Sequence, residues 1–461
     1  MTRRGSDMVA AGTRSATEAA LRMIRTGERI RHRPAIPRYA IPPGVDASMH
    51  LVLVNHYAGS PKHGMEFRPH QFARHWARAG HEVTVLAGSY SHLRNLNPEV
   101  SGRVTEEMID GIRYRWLRTP RYSGNGLGRI RSIHAFVKAV DRERREHLRQ
   151  LRIDAVIASS TYPFDIDPCR RIAREHQATL VWEVHDLWPL SPIELSGYSP
   201  RHPFIRVTQR AEDRCCRDAE LAVTILPKAI DHLRTRGLDP DACIHVPNGA
   251  EPPGIATDDA PATAVREMRS DGRFTIVHAG GHGDYHGLDT LILALNELPA
   301  QRFGLVTIGE GPAKNRLRAL ADGLDNVHAQ FVDRVDRASA LSAMKESDAV
   351  YAGLRGHPIY RFGIGLNKIY DAMLCGRPII ASYTAGNDPV TEADCGIRVE
   401  ADDAASLANG IHRLASLTER RRDELGANGR RHVREHHDLE SLSRRLLEAI
   451  RAARGDRRGR H

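Results

Sequence analysis

The chain has no apolar run approaching the ~20 residues that a membrane-spanning helix needs, so no integral membrane class fits it. Cysteine is scarce. The six present, Cys169, Cys215, Cys216, Cys243, Cys375 and Cys395, include no C-x-x-C pair, which argues for buried, reduced thiols in a cytoplasmic protein. Lysine is scarce beside arginine: Lys62, Lys138, Lys228, Lys314, Lys345 and Lys368 stand among 67 basic residues, a bias that genome composition accounts for. The 25 histidines show no H-E-x-x-H or comparable ligand spacing, and no G-x-S-x-G nucleophile turn is present. Zinc-finger spacing and interleaved aromatic and basic residues are missing too, so nucleic acid is not an expected partner. There is no repeat of solenoid length.

What is there describes a folded, soluble protein. At 461 residues the chain exceeds one compact core, and two domains are the first expectation. Hydrophobic content of 41% with 27% charged residues fits a globular class. The net charge of +10 gathers toward the ends. Residues 16–30 read as a short basic helix and residues 451–461 as a basic tail, a pattern that suits an anionic membrane surface better than nucleic acid. The Arg-rich start, broken by Pro34, Pro37, Pro42 and Pro43, lacks the apolar core of a signal peptide, so export is not expected.

Two series of short β-rich runs alternate with helical stretches. The first runs through 50–55, 81–87, 154–159, 180–185, 221–226 and 244–247; the second through 274–279, 303–308, 327–331, 349–354, 378–382 and 396–399. Unbroken runs such as Leu51-Val-Leu-Val54 suit strands buried on both faces, and the alternation implies βαβ units with right-handed crossovers. The expected fold class is α/β, with two Rossmann-like, doubly wound parallel-sheet domains facing across a cleft. Ligands in such sheets bind beyond the carboxyl ends of the strands. The boundaries read as a basic extension over 1–48, a first, acceptor-side domain over 49–250 and a linker region over 251–272 opened by Glu251-Pro-Pro-Gly254. A second, donor domain follows over 273–415, then C-terminal helices and a basic tail over 416–461 that cap the second domain and can cross back to the first.

The most informative segment is Phe362-Gly-Ile-Gly-Leu-Asn-Lys-Ile-Tyr-Asp-Ala-Met-Leu-Cys-Gly-Arg-Pro-Ile-Ile380. Gly363, Ile364, Gly365, Leu366 and Asn367 form a loop whose backbone can approach a ligand, and the helix behind it offers unpaired N–H groups and a positive dipole end. Asp371 stands further along that helix, so phosphates on the helix start and ribose hydroxyls on the carboxylate would suit a nucleotide diphosphate. The same residues also fit an ordinary loop–helix–strand step. His185 and Asp186 lie at the carboxyl end of Thr179-Leu-Val-Trp-Glu-Val184, placed to face the cleft; Asp186 can pair with the imidazole or cap the next segment. Gly59, Gly64 and Arg68 follow the first strand on the acceptor side, Arg68 reading as a phosphate contact or a solvated loop residue. Three successive strands of the second domain end in polar or glycine-bearing loops at 280–287, at Gly309-Glu-Gly-Pro312 and at 331–335. Asp165-Ile-Asp167 resembles a metal-binding pair but also fits a helix cap.

Together Arg78-Ala-Gly-His-Glu-Val83, Trp182-Glu-Val-His-Asp-Leu-Trp-Pro189, Val246-Pro-Asn-Gly249, Ala279-Gly-Gly-His-Gly-Asp-Tyr-His-Gly-Leu-Asp-Thr-Leu-Ile292, Gly309-Glu-Gly-Pro312 and the segment from Phe362 carry a resemblance. Over residues 50–440 the chain resembles the retaining glycosyltransferases of family 4, of GT-B architecture, in the branch with fucosamine transferases of O-antigen and capsule assembly. The resemblance implies transfer from a nucleotide-sugar, a UDP-sugar first of all, to a lipid-linked or growing oligosaccharide acceptor, with no cofactor and no metal. It also implies a cytoplasmic enzyme, peripheral at the inner membrane face. His185 would sit at the donor sugar. Asp371 would take the place of the second Glu of the family's paired-Glu signature, on the ribose. The loop with Gly281, His282 and Gly283 would face the phosphates, and Val335 would border the base. Gly363 stands where the first Glu usually lies, and the usual basic residues of the 280–287 loop are absent, leaving Arg361 or Lys368 to supply that charge. Two alternatives stay open: a UDP-sugar 2-epimerase-like enzyme on the same architecture, and a degenerate nucleotide-sugar-binding protein.

Overall fold

Short runs of aliphatic and β-branched residues become strands covered on both faces, because unbroken hydrophobicity leaves no side for water. The computed structural model describes residues 48–64, 68–124, 126–299 and 301–459; the basic helix expected at 16–30 lies outside them. Strands β1 (His50–Val54), β2 (Glu82–Gly88), β3 (Val104–Ile109), β4 (Ile112–Leu117), β5 (Ala155–Ala158), β6 (Thr179–Val184), β7 (Leu221–Thr224) and β8 (Cys243–His245) form one sheet, ordered β3-β4-β2-β1-β5-β6-β7-β8. Strands β9 (Phe274–Ala279), β10 (Phe303–Ile308), β11 (Ala329–Val332), β12 (Ala349–Gly353), β13 (Ile379–Ser382) and β14 (Gly396–Val399) form a second, ordered β11-β10-β9-β12-β13-β14. The second sheet is parallel throughout, and the first is parallel except where β3 meets β4. Core clusters line both faces of each sheet.

The β3–β4 hairpin is absent from the strands read in the sequence. Its turn, Asp110-Gly111, has φ of 52° and 80°, the left-handed pair that a two-residue hairpin turn demands. The strands escape a search for apolar runs because one face is charged: Glu106 pairs with Arg113 at 2.7 Å and with Arg115 at 2.6 Å.

Helices between the strands place the site. In α1 (Arg68–Arg78), Phe72, Ala73 and Trp76 turn one face into the core. Helices α2 (Ile166–His176) and α3 (Leu190–Ser196) follow β5 and β6. The stretch expected as linker contains α4 (Ala260–Ser270), whose Ala262, Val265 and Met268 join the second domain's core. Two helices flank the second domain's ligand side: α5 (Arg337–Glu346) and α6 (Asn367–Cys375). Gly376, at φ +69°, ends α6 just before Pro378, as a helix-stop glycine does. After α7 (Glu419–His436), α8 (Leu439–Gly459) returns to the first domain. Its Leu439, Leu442, Leu446 and Ile450, spaced three and four apart, enter the same core as Trp76 and Val85. Trp76 Nε1 donates to the Ser443 carbonyl at 2.9 Å, and Arg454 pairs with Asp154. The basic tail from Arg451 thus continues as helix to Gly459.

All six cysteines are free, and all but Cys243 are buried. Asp165 and Asp167 do not converge on a shared site: Asp165 accepts the Ser160 N–H at 3.0 Å, whereas Asp167 takes Arg214 at 2.9 and 3.0 Å. No helix among the described residues is long and apolar enough to cross a membrane.

Candidate active site

On the first domain, His185 leaves β6 into a ring of buried polar groups. Its Nε2 lies 3.1 Å from Glu183 Oε2 and 3.0 Å from Ser159 Oγ, and the Ser159 hydroxyl donates to the same carboxylate oxygen at 2.7 Å. Arg68 completes the chain from the start of α1: its Nε donates to Glu183 Oε1 at 2.6 Å and its Nη1 to the Pro247 carbonyl at 2.6 Å. Both members of this ion pair are sealed from water, at 6% and 4% exposure. Burial alone would raise the Glu183 carboxyl, but Arg68 and His185 outweigh it and hold the group well below the usual carboxylate range. An ionised Glu183 assigns the imidazole proton to Nε2, leaving the Nδ1 lone pair as the group His185 can present.

Two expectations change here. The carboxylate that orients His185 is Glu183, two residues before it on the same strand face, and not the exposed Asp186. Arg68 is neither a solvated loop residue nor a phosphate contact; it is the buried counter-ion of Glu183. Glu183 had a readable signal, since a lone acid inside an otherwise apolar strand must find a cation. Gly59 is buried, its carbonyl accepting the Tyr114 hydroxyl at 2.9 Å, whereas Gly64 reaches the rim of a pocket in the second domain.

That pocket, about 310 Å³, lies at the carboxyl ends of β9 and β10. Backbone forms one wall, at Gly280, Gly281 and Gly309. Gly309 has φ +144°, and a Cβ there would sit 1.9 Å from the Gly280 carbonyl oxygen, so only glycine lets the two loops lie backbone to backbone. Ile308, Leu341 and Met344 are among the residues that add apolar surface; Val335, Arg334, Arg337, Glu310 and Asp371 also line it. Asp371 Oδ1 accepts from Arg337 at 2.6 and 3.2 Å, while Arg334 reaches across to Asn95 of the first domain. Arg334, Arg337 and Glu310 are additions to the sequence-based set; Glu310 and Arg334 stand in loops that follow visible strands and Arg337 opens α5, but their inward aim was not visible.

The loop before α6 behaves differently from its expected role. None of residues 363–368 lines this pocket. Gly363 N–H donates to the Tyr360 carbonyl at 2.9 Å and Ile364 N–H to Asn387 Oδ1 at 2.8 Å, so neither is available to a diphosphate. The loop is drawn onto the first domain instead. Lys228 N–H donates to the Phe362 carbonyl at 3.0 Å and Asn248 Nδ2 to the Gly365 carbonyl at 2.9 Å. Gly363, at φ +108°, lies so close to Pro227 that a Cβ would come within 2.5 Å of its ring, which leaves no room for the side chain expected at that position. Arg361 forms a two-pronged pair with Glu194 of α3 at 2.7 and 2.8 Å and supplies no charge to the pocket. The N–H groups of Leu366, Asn367 and Lys368 open α6 and have no intrahelical partner, as at any helix start. His282 has its imidazole fully buried, both ring nitrogens without hydrogen-bond partners among the described residues, so it lies inside the domain and not on the pocket lining; Gly283 packs against the Tyr285 ring.

Comparison with known proteins bears on the two domains that carry these residues. Residues 63–249 match the glycosyl transferase 4-like domain, and residues 273–416 match glycosyl transferases group 1. A GDP-mannose-dependent monoacylated alpha-(1-6)-phosphatidylinositol monomannoside mannosyltransferase of Corynebacterium glutamicum is 28% identical over 168 residues, which cover 36% of this chain and 43% of the relative, less than half its length. The structure of sucrose-phosphate synthase from Thermosynechococcus elongatus superposes with a TM-score of 0.65 at 18% identity, covering 88% of this chain and 98% of that one. The Anabaena protein HepE in complex with UDP-glucose does so with a TM-score of 0.60 at 14% identity, covering 88% and 100%. Two parallel-sheet domains in this order, each matching its own half of a transferase, have one reading: the chain belongs to the glycosyltransferases of GT-B fold.

Proposed function

We propose that the chain moves a sugar from a nucleotide-sugar, a UDP-sugar first of all, to a lipid-linked or growing glycan acceptor in cell-surface polysaccharide assembly, with retention at the anomeric carbon. The observation that carries this is the second-domain pocket, whose rim is completed by Gly64 of the first domain. Its backbone wall suits phosphates, and Asp371, with one oxygen on Arg337, offers the other to ribose hydroxyls. His185, oriented by Glu183, belongs to the acceptor-side domain and is the group we assign to the reacting sugar. The complexes of structural neighbours with UDP-glucose support a nucleotide-sugar donor, and the GDP-mannose dependence of the corynebacterial relative keeps the base open to test.

The reading needs no cofactor or metal, since Lys368, which reaches Gly280 of the pocket wall from behind, can oppose the charge of a departing diphosphate. It places the enzyme in the cytoplasm, peripheral at the inner membrane face. The finer placement, beside fucosamine transferases, rests on the sequence motifs. The test is a panel of nucleotide-sugars with and without lipid-linked oligosaccharide acceptors, products read by NMR. Acceptor-dependent transfer with the donor's anomeric configuration kept is expected. Epimerised or free sugar formed without acceptor would favour the epimerase-like alternative, and tight binding without turnover the degenerate-binding one.

A further inference from the structure

The least explained feature of the second domain is a cluster of bases with no acid among them. His278 lies in β9, His282 and His286 lie in the loop behind it, and the three are 0%, 0% and 6% exposed. Lys368, in the first turn of α6, enters the same space, its Nζ 3.1 Å from His286 Nδ1. A Cβ on Gly280 would stand 3.3 Å from that Nζ and 3.6 Å from His278 Nε2, and one on Gly281 would stand 3.6 Å from His286 Nε2. Basic nitrogens thus converge on Gly280 and Gly281, two of the glycines that line the pocket. Among the described residues, His278 Nε2 and both His282 ring nitrogens have no hydrogen-bond partner.

The acids on every neighbouring element are bound elsewhere. Glu310, after β10, holds Lys314 at 2.6 Å, and Lys314 also takes Asp333 at 2.5 Å. Asp371, one turn along α6, is held by Arg337 of α5; Asp284 is held by Arg316 at 2.5 Å, and Asp289 by Arg355. The phenols nearby, Tyr285 of the loop and Tyr351 of β12, are both shifted upward by burial and stay neutral. Desolvation pushes the Lys368 ammonium down to about 7. Burial and the nearby charges push His282 down to about 4 and His286 to about 3, and they hold His278 well below its usual value. Above neutrality the cluster by itself is therefore uncharged, which is how buried bases are tolerated without a counter-ion.

Resting on the donor reading above, we propose that Lys368 is the counter-ion of the donor diphosphate and takes its proton from solvent as that diphosphate settles on Gly280 and Gly281, its burial beside neutral imidazoles keeping the amine neutral until then. The proton converts the Nζ amine to an ammonium beside the phosphates and returns to solvent when the nucleotide diphosphate leaves. Donor affinity then falls as pH rises past the point where the free amine loses its proton.

Titration calorimetry with UDP-glucose and GDP-mannose tests this, run in two buffers of different ionisation enthalpy at about one pH unit below and one above that point. Both phosphates of these probes are esterified, so the proton counted belongs to the protein. Nearly one proton taken up per ligand is expected at the higher pH and almost none at the lower, with affinity weaker by about tenfold at the higher. Lys368→Met should bind weakly with no uptake and a flat pH profile, and Lys368→Arg should bind without uptake at either pH. Tight binding by the wild-type protein without uptake at the higher pH, or uptake that persists in Lys368→Met, would overturn the assignment and leave the donor reading intact. Failure of both probes to bind at the lower pH, where the ammonium is present, would overturn the donor reading and this inference with it.

Discussion

The two domains build their halves of the cleft by opposite means. The first uses buried charge in matched pairs, with Arg68, Glu183 and His185 in one hydrogen-bonded chain and Ser159 closing it. The second uses backbone and bases without a matching acid, with Gly280, Gly281 and Gly309 as wall and Lys368 beside three imidazoles. A matched buried pair is rigid, because either member alone is an uncompensated charge. An unmatched set of bases is instead incomplete until an anion arrives. The difference fits a cleft in which one side holds a reacting group in a single orientation and the other waits for a charged ligand.

The largest effect expected from breaking this contrast is at Glu183. Glu183→Ala leaves Arg68 buried and unpaired, and denaturant unfolding should show a loss of about 3–5 kcal/mol. A loss within that of an exposed pair would mean Arg68 finds another partner and the chain is not a unit. His185→Ala removes only the end of the chain, so the fold should persist by circular dichroism while turnover falls by about 100-fold or more. Asp371→Ala should weaken nucleotide-sugar binding by about 10- to 100-fold in calorimetry, the worth of a hydrogen bond to a charged group. The smallest effect is one of pH and separates the two halves. Glu183 has a folded-state value below its unfolded one, so its contribution is complete above about pH 4.3 and lost as pH falls further. The His282 and His286 imidazoles are also lowered, to about 4 and about 3, so the stability they lend as neutral groups is complete above about pH 6.5 and declines below it. Stability differences between the wild-type protein and Glu183→Gln or His286→Gln, followed against pH, should therefore begin to change at different points as pH falls, about 6.5 for His286 and about 4.3 for Glu183; a common onset would erase the distinction.

The sheets were legible because their strands are continuous apolar runs with helices between. The exception, β3 and β4, carries its charges outward, and the Asp110-Gly111 turn was its one plain signal. His185 was legible as the residue after an apolar strand, and Asp371 as a carboxylate behind a glycine loop. Their partners were not, because Arg68 and Glu183 are 115 residues apart and Arg337 and Asp371 are 34 apart, and only folding brings them together. Arg361 shows the reverse failure: a cation beside a glycine loop suits a phosphate, yet the facing Glu194 claims it. Gly363 misled in the same way, since the ligand its backbone approaches is Pro227 of the other domain.

Hydrophobic periodicity and glycine placement are local properties, and they determined by themselves that this chain makes two parallel sheets with ligand loops at their strand ends. Which charges meet across those loops is a matter of distance in space. Only the tertiary structure decided that Glu183 neutralises Arg68, that the 363–366 loop leans on the first domain, and that Lys368 lies among histidines with no acid among the described residues to pair it. The physical reason is the same in each case: a buried charge is settled by whatever lies within a few ångströms, and sequence spacing does not set that distance.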